Sequence, residues 1–173
     1  MMLEEELSRN IFFAKAGAYS INPDSVSCVR ESLNYTIEIL EQNIYPKPVV
    51  FFFPQGILLP WYKRPLNFKR GIEFILRHIH TPINLCFLGI KAEFLNEQRP
   101  EVFFQFGNNR IYDHTCRVTA QELETEAEII LHAMENRIIN KERGEILLQG
   151  KQSINTMFFK IRSSFGKSKI YRG

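Results

Sequence analysis

The chain has 173 residues, 45% of them apolar and 24% charged, with a formal net charge of +3. That length suits one domain able to bury a core without disulfides or metals, and the charge is too small to imply nucleic acid by itself. Three widely spaced cysteines, Cys28, Cys86 and Cys116, form neither a CxxC pair nor a zinc spacing, so they read as reduced thiols of a cytosolic protein and no metal site is expected.

The opening residues, MMLEEELSRN, are acidic and lack the apolar segment of a secretory signal. No window approaches the ~18 apolar residues of a membrane-spanning helix. Leu3, Leu7 and Ile11 recur at helical spacing and predict a short helix over residues 3–13. Gly17 permits a turn, and Ala18–Ile21 reads as a short strand. Asn22-Pro23 is a turn signal. Asp24 or Ser25 can cap a helix over Val26–Gln42 whose apolar face is Val26, Val29, Leu33, Ile37 and Leu40.

Pro46 and Pro48 end that helix, and Val49–Phe53, wholly apolar and β-favouring, predicts a buried strand. A second helix is expected over Phe68–His80, with Ile72, Ile75, Leu76 and Ile79 on its apolar face. Strands follow over Ile83–Ile90 and Val102–Phe106, the latter ended by Gly107. Thr119-x-x-Glu122 is a capping box for a long helix over about residues 121–143, with Ile129, Ile130, Ala133 and Met134 on its apolar face and Gly144 as its stop. Alternating strands and helices predict an α/β fold with a mixed, mainly parallel sheet flanked by helices. The strand–strand–helix order near the end argues against a purely parallel one.

After Glu145 the chain has no acidic residue, yet Lys151, Lys160, Arg162, Lys167, Lys169 and Arg172 follow, with Phe158, Phe159, Phe165 and Tyr171 between them. Residues 146–173 therefore read as a basic aromatic tail. It is either solvated, or laid on an anionic membrane surface through Lys160, Arg162, Lys167 and Lys169, or set against nucleic acid. No nucleic-acid motif accompanies it, so nucleic acid is not the expected partner.

The chemistry concentrates in FFFPQGILLPWYKRPLNFKRG, residues 51–71. A turn at the carboxyl end of a central strand is where open α/β sheets bind ligands. The Gln55 amide could donate to an oxygen anion there, and Lys63, Arg64, Lys69 and Arg70 could neutralise a phosphate. The alternative is an ordinary strand-to-helix connection with solvated cations. His78 and His80 lie two apart and do not share a helix face as metal ligands would. His114, between Asp113 and Cys116, invites a Cys–His nucleophile reading that needs proximity in space.

In this stretch the chain resembles the glycerolipid acyltransferases, the 1-acylglycerol-3-phosphate acyltransferase superfamily. The family's Phe-Pro-Glu-Gly-Thr-Arg signature is matched by Phe53, Pro54 and Gly56, and its Phe-Lys-Lys-Gly helix start by Phe68, Lys69, Arg70 and Gly71. Upstream, Phe13, Gly17 and Ile21 match a Phe-x-x-x-Gly-x-x-x-Ile-x-Arg segment. Downstream, Pro82-Ile83 and residues 97–109 are similar to later strands. The resemblance covers about residues 1–110. It implies acyl transfer from acyl-CoA or acyl carrier protein to a hydroxyl of a glycerolipid precursor, with no further cofactor. It also implies an acceptor-binding set of Phe53, Pro54, Gln55, Gly56, Lys69 and Arg70, to which Lys63 and Arg64 are added as nearby cations that could compensate for the family residues missing here.

The departures from the pattern are specific. Gln55 stands where the family has Glu, Ile57-Leu58 where it has Thr-Arg, and Pro23 where it has Arg. These are positions that help hold the acceptor phosphate in the family, so ordinary lysophosphatidic acid is not the expected acceptor. The family's catalytic His-x-x-x-x-Asp, in which the His acts as base and the Asp orients it, is not among these residues. The two aspartates, Asp24 and Asp113, have Tyr19 and Asn108 five residues before them. The expectation is an N-terminally incomplete acyltransferase domain over residues 1–145, starting after the catalytic motif and inactive alone. It would be cytoplasmic or peripheral on the cytoplasmic membrane face. The alternative is a non-enzymatic lipid- or protein-binding module derived from that fold.

Overall fold

The computed structural model describes residues 2–95, 99–142 and 144–148. The tail cations Lys160, Arg162, Lys167 and Lys169, together with Arg143, lie outside the described residues. The chain is mixed helix and sheet and divides into two units, residues 1–87 with 108–129, and residues 88–107 with 130–173.

The first unit opens with a two-residue strand, β1 (Met2–Leu3), paired in parallel with β2 (Ser20–Ile21). Between them the single helix expected over residues 3–13 is split at Asn10 into α1 (Glu4–Arg9) and α2 (Ile11–Lys15). The break follows from Asn10 itself, whose backbone (φ −129°, ψ 78°) is not helical. Helix α3 (Val26–Glu41) forms as its periodicity predicts, and the Ser25 side chain accepts from the Cys28 backbone N–H at its start. Leu33, Thr36 and Ile37 are buried, whereas Val26, in the first turn, is exposed.

Helix α4 (Gly71–His78) is shorter than expected. Its predicted N-terminal residues, 68–70, instead bend around the site described below. Its apolar face is the expected one: Ile72, Ile75, Leu76 and the following Ile79 are all buried. Two clusters build the core of this unit. One joins Ile72, Leu76, Tyr112 and Leu123, the other Leu33, Ile37 and Ile75, and Phe52 packs against both.

The buried strand expected at Val49–Phe53 is not formed. The segment joins no ladder, and Val49, Phe51 and Phe53 are exposed while Phe52 points into the core. Pro48 and Pro54 flank it and have no N–H to give a ladder, which opposes a central-strand role.

The strand expected over Ile83–Ile90 is interrupted at Cys86 and Phe87. Its first part, β3 (Ile83–Leu85), pairs antiparallel in the first unit with a three-residue strand, Arg110–Tyr112. Its second part, β4 (Leu88–Glu93), belongs to the second unit and pairs antiparallel with β5 (Glu101–Phe106), from Leu88↔Phe106 to Glu93↔Glu101. With Arg110–Tyr112 as β6, both longer ladders are antiparallel. The mainly parallel sheet expected from the element order is therefore not what the described strands form. The link between β4 and β5, residues 94–100, is short enough for antiparallel neighbours and too short for the crossover that parallel ones need, and β3 and β6 flank that pair in sequence.

Helix α5 (Ala120–Ile139) starts at the expected capping box. The Thr119 N–H donates to Glu122 Oε2 at 2.7 Å, and the Glu122 N–H donates to Thr119 Oγ1 at 3.2 Å. It ends at Ile139, before the expected 143, and Gly144 is not its cap. Its buried positions are Ala120, Leu123, Ala127, Met134 and Ile138; Ile129 and Ala133, placed on the apolar face by the sequence pattern, are exposed. In the second unit, β4 closes on α5 at Gly89, where an added Cβ would stand 3.0 Å from Met134 Cε and 3.1 Å from Leu131 Cδ2.

Candidate functional site

The two motif segments, Phe53–Gly56 and Phe68–Gly71, are more than ten residues apart in sequence and adjacent in space. The Lys69 backbone N–H donates to the Pro54 carbonyl at 2.7 Å. The Gln55 amide reaches across the same gap to the Leu66 carbonyl at 3.1 Å, and the Gly56 N–H turns back to the Phe53 carbonyl at 3.3 Å. Gly56 takes a positive φ of 67°, which disfavours a side chain, and its open face lies 3.8 Å from Lys69 Cγ. At the other end Gly71 lets α4 come close: an added Cβ would sit 3.3 Å from Leu33 Cδ2 and 3.5 Å from Phe52 Cζ.

Carboxylates of α5 hold the second segment from the other side. Glu124 accepts from the backbone N–H groups of Asn67 and Phe68, both at 2.9 Å, one on each oxygen. Glu128 accepts from the Leu66 N–H at 3.1 Å. These bonds hold residues 66–68 in place, and Asn67 sits at φ 57°, outside the right-handed helical region, so α4 does not begin there. Between this segment and the start of α5 lies an open cleft of about 700 Å³, bordered by Asn67, Lys69, Arg70, Gln121 and Glu124.

Glu73, buried in the first turn of α4, ties the cleft together. It accepts from Arg70 at 3.4 Å and from the Ala120 N–H at the start of α5 at 3.3 Å, and it is ion-paired with Arg77. Burial pushes its carboxyl pKa upward. The Arg70 hydrogen bond, the Ala120 N–H and the two guanidinium charges outweigh that and leave it below the ordinary value.

The eight residues proposed from sequence therefore separate by role. Phe53 is exposed, and Pro54 and Gly56 close the turn. Gln55 spends an amide N–H on Leu66, and Arg64 folds back onto the carbonyls of Trp61 and Lys63. Arg70 is paired with Glu73. Lys63 and Lys69 are exposed, and among the described residues neither ammonium has a hydrogen-bond or ion-pair partner. The lysines are thus the cations of the set that stand ready for an anion. Arg70 occupies the N-cap of α4 without a side-chain capping bond.

Glu73, Glu124 and Glu128 were not legible as site residues. Glu73 did carry a signal, since it falls among Ile72, Ile75 and Leu76 on an apolar face. Elsewhere, the Cys116 thiol donates to Asp113 Oδ1 at 3.5 Å, and no hydrogen bond joins it to His114 among the described residues. The His114 ring instead lies edge-on to His80, with centroids 6.4 Å apart. Among the described residues no group of three or more His, Cys, Asp or Glu could hold a metal ion, and no helix is long and apolar enough to cross a membrane. No family model, curated protein or solved structure matches the chain.

Proposed function

We propose that the chain is a glycerolipid-acyltransferase-like protein whose residues 53–71 bind the acceptor, a phosphorylated lipid precursor with a hydroxyl to be acylated. In the complete reaction the hydroxyl oxygen attacks the thioester carbonyl of acyl-CoA or acyl carrier protein. An ester C–O bond forms, the C–S bond breaks, and the hydroxyl proton passes through a general base to the departing thiolate. No His-x-x-x-x-Asp is present among the 173 residues to act as that base, so on this reading they bind the acceptor and do not transfer the acyl group alone.

The observation that carries the proposal is the Lys69 N–H to Pro54 carbonyl bond. It joins the two segments whose residues carry the resemblance, and it sets Lys69 beside the Gly56 turn. Both are what phosphate recognition by a turn and a nearby cation requires. The family's α/β layer arrangement belongs to the same reading, as does a peripheral position on an anionic membrane with Lys160, Arg162, Lys167 and Lys169 as contacts.

A second reading is favoured by one feature. Gln55 and Arg70, two polar groups that an acceptor would use, are engaged inside the loop and with Glu73. A non-enzymatic lipid- or protein-binding module has that economy of free donors.

Equilibrium binding of a phosphorylated single-chain lipid to the purified chain, beside a thiol-release assay with acyl-CoA, tests the proposal. Saturable binding without thiol release is expected. Absence of binding would remove the acceptor site, and robust thiol release would overturn the reading that these residues do not transfer the acyl group alone.

A further inference from the structure

Between Glu41 and Glu73 the chain has no carboxylate, and residues 42–72 carry five cations, Lys47, Lys63, Arg64, Lys69 and Arg70. The same stretch exposes large apolar side chains where a soluble surface would cover them. Leu58 is fully exposed, Tyr62 is 81% exposed and Phe53 73%. Val49 and Phe51, leading into the loop, are exposed as well, alternating with the inward Phe52. Scattered apolar residues on a surface mean little, but a concentrated set does not.

The loop is closed at its base and open at its tip. Lys69 to Pro54 and Gln55 to Leu66 clamp the base. Residues 57–63 lie beyond that clamp with Ile57, Leu58 and Tyr62 in solvent and Leu59 and Trp61 half-buried. Lys63 and Lys69 flank it with their ammonium groups unpaired among the described residues.

We propose that this loop, with Val49, Phe51 and Phe53, docks on the surface of an anionic lipid bilayer. Apolar and aromatic side chains enter the interface, and the cations meet the headgroup charge. Residues 42–72 carry no carboxylate of their own, and those that meet the segment are engaged, Glu124 and Glu128 with the N–H groups of residues 66–68 and Glu73 with Arg70 and Arg77. Lys63 and Lys69, unpaired among the described residues and set beside exposed apolar side chains, are what select this partner. A second copy of the chain would set one cationic apolar face against another, with like charges opposed. The inference does not rest on the acyl-transfer reading, and it adds a membrane contact separate from that of the basic tail.

The chain's single tryptophan, Trp61, lies in this loop and serves as the reporter. The full chain is mixed with phosphatidylcholine vesicles, with and without phosphatidylserine, and Trp61 emission and its quenching by brominated acyl chains are followed. A blue shift and quenching are expected only with the anionic vesicles. Leu58→Glu with Tyr62→Glu should lower the partition coefficient by roughly tenfold or more, circular dichroism confirming the fold. Neutralising Lys160, Arg162, Lys167 and Lys169 to Gln should leave the quenching of Trp61 in place. Vesicle binding without Trp61 quenching would assign the contact to the tail and overturn the proposal. So would a loop variant that binds like the wild type. Self-association abolished by the loop variant, with no vesicle binding, would replace the bilayer by a second copy. Neither vesicle lipid has a free hydroxyl to acylate, so the outcome is separate from that of the acceptor-binding test.

Discussion

The backbone N–H of Lys69 donates to the carbonyl of Pro54 over 2.7 Å, and this one bond turns two separate sequence motifs into a single loop. Everything proposed for residues 53–71 depends on that closure. It is maintained by groups outside the motifs, above all by carboxylates of α5.

Glu124 supplies two of those supports. Glu124→Ala removes the acceptors of the Asn67 and Phe68 N–H groups and should lower stability by about 1–3 kcal/mol. Glu124→Gln keeps one oxygen and should cost less. Denaturant unfolding gives the magnitude, and amide hydrogen exchange at Phe68 should speed up in the Ala variant ahead of global unfolding.

Gly56 is held at a φ of 67°, so Gly56→Ala should cost about 1–2 kcal/mol from the left-handed backbone alone. Gly56→Asn, whose side chain tolerates that region better, should recover part of the loss. The contrast separates backbone strain from crowding, because among the described residues the one atom within 4 Å of an added Cβ is Lys69 Cγ at 3.8 Å.

The Glu73 carboxyl is shifted below its ordinary value in the folded chain. A depressed folded pKa contributes stability that is present above the unfolded value of about 4.3 and is lost as pH falls through the folded one. Glu73→Gln should therefore be less stable than the wild type at neutral pH. The gap should narrow as pH drops below the carboxylate range. A gap that stays constant across that range would mean that the charge of Glu73 contributes nothing.

The second unit offers an independent check. At Gly89 an added side chain would press on Met134 and Leu131, so Gly89→Val should cost about 1–3 kcal/mol by overpacking. Unfolding measured by denaturant would show it, and Met134→Ala in the same background should relieve part of it.

Local signals in the sequence were legible where local physics decides them. The Thr119–Glu122 capping box, the Ser25 cap of α3 and the apolar face of α4 all form as their spacing predicts. The failures have a common cause in long-range context. Val49–Phe53 looks like a central strand, but pairing depends on a partner that its own residues do not specify, and the flanking prolines weaken it. The face of α5 was misplaced because Ile129, Ile130, Leu131 and Ala133 crowd apolar residues around much of the helix, so periodicity alone could not choose Leu123 and Ala127. Glu124 and Glu128 look like a solvated pair four residues apart. Their partners, Asn67, Phe68 and Leu66, stand 56–62 residues away.

The central claim is that the closed loop recognises a phosphorylated lipid. The most direct test follows backbone amide signals of the purified chain by NMR during titration with a phosphorylated single-chain lipid kept below its micelle concentration. Its dephosphorylated counterpart serves as control. The account predicts saturable shifts at Gly56 and Lys69 with the phosphorylated lipid only, weakened roughly tenfold by Lys69→Gln, as expected for loss of one charge-assisted contact. Equal shifts with both lipids, or none at either amide, would contradict it.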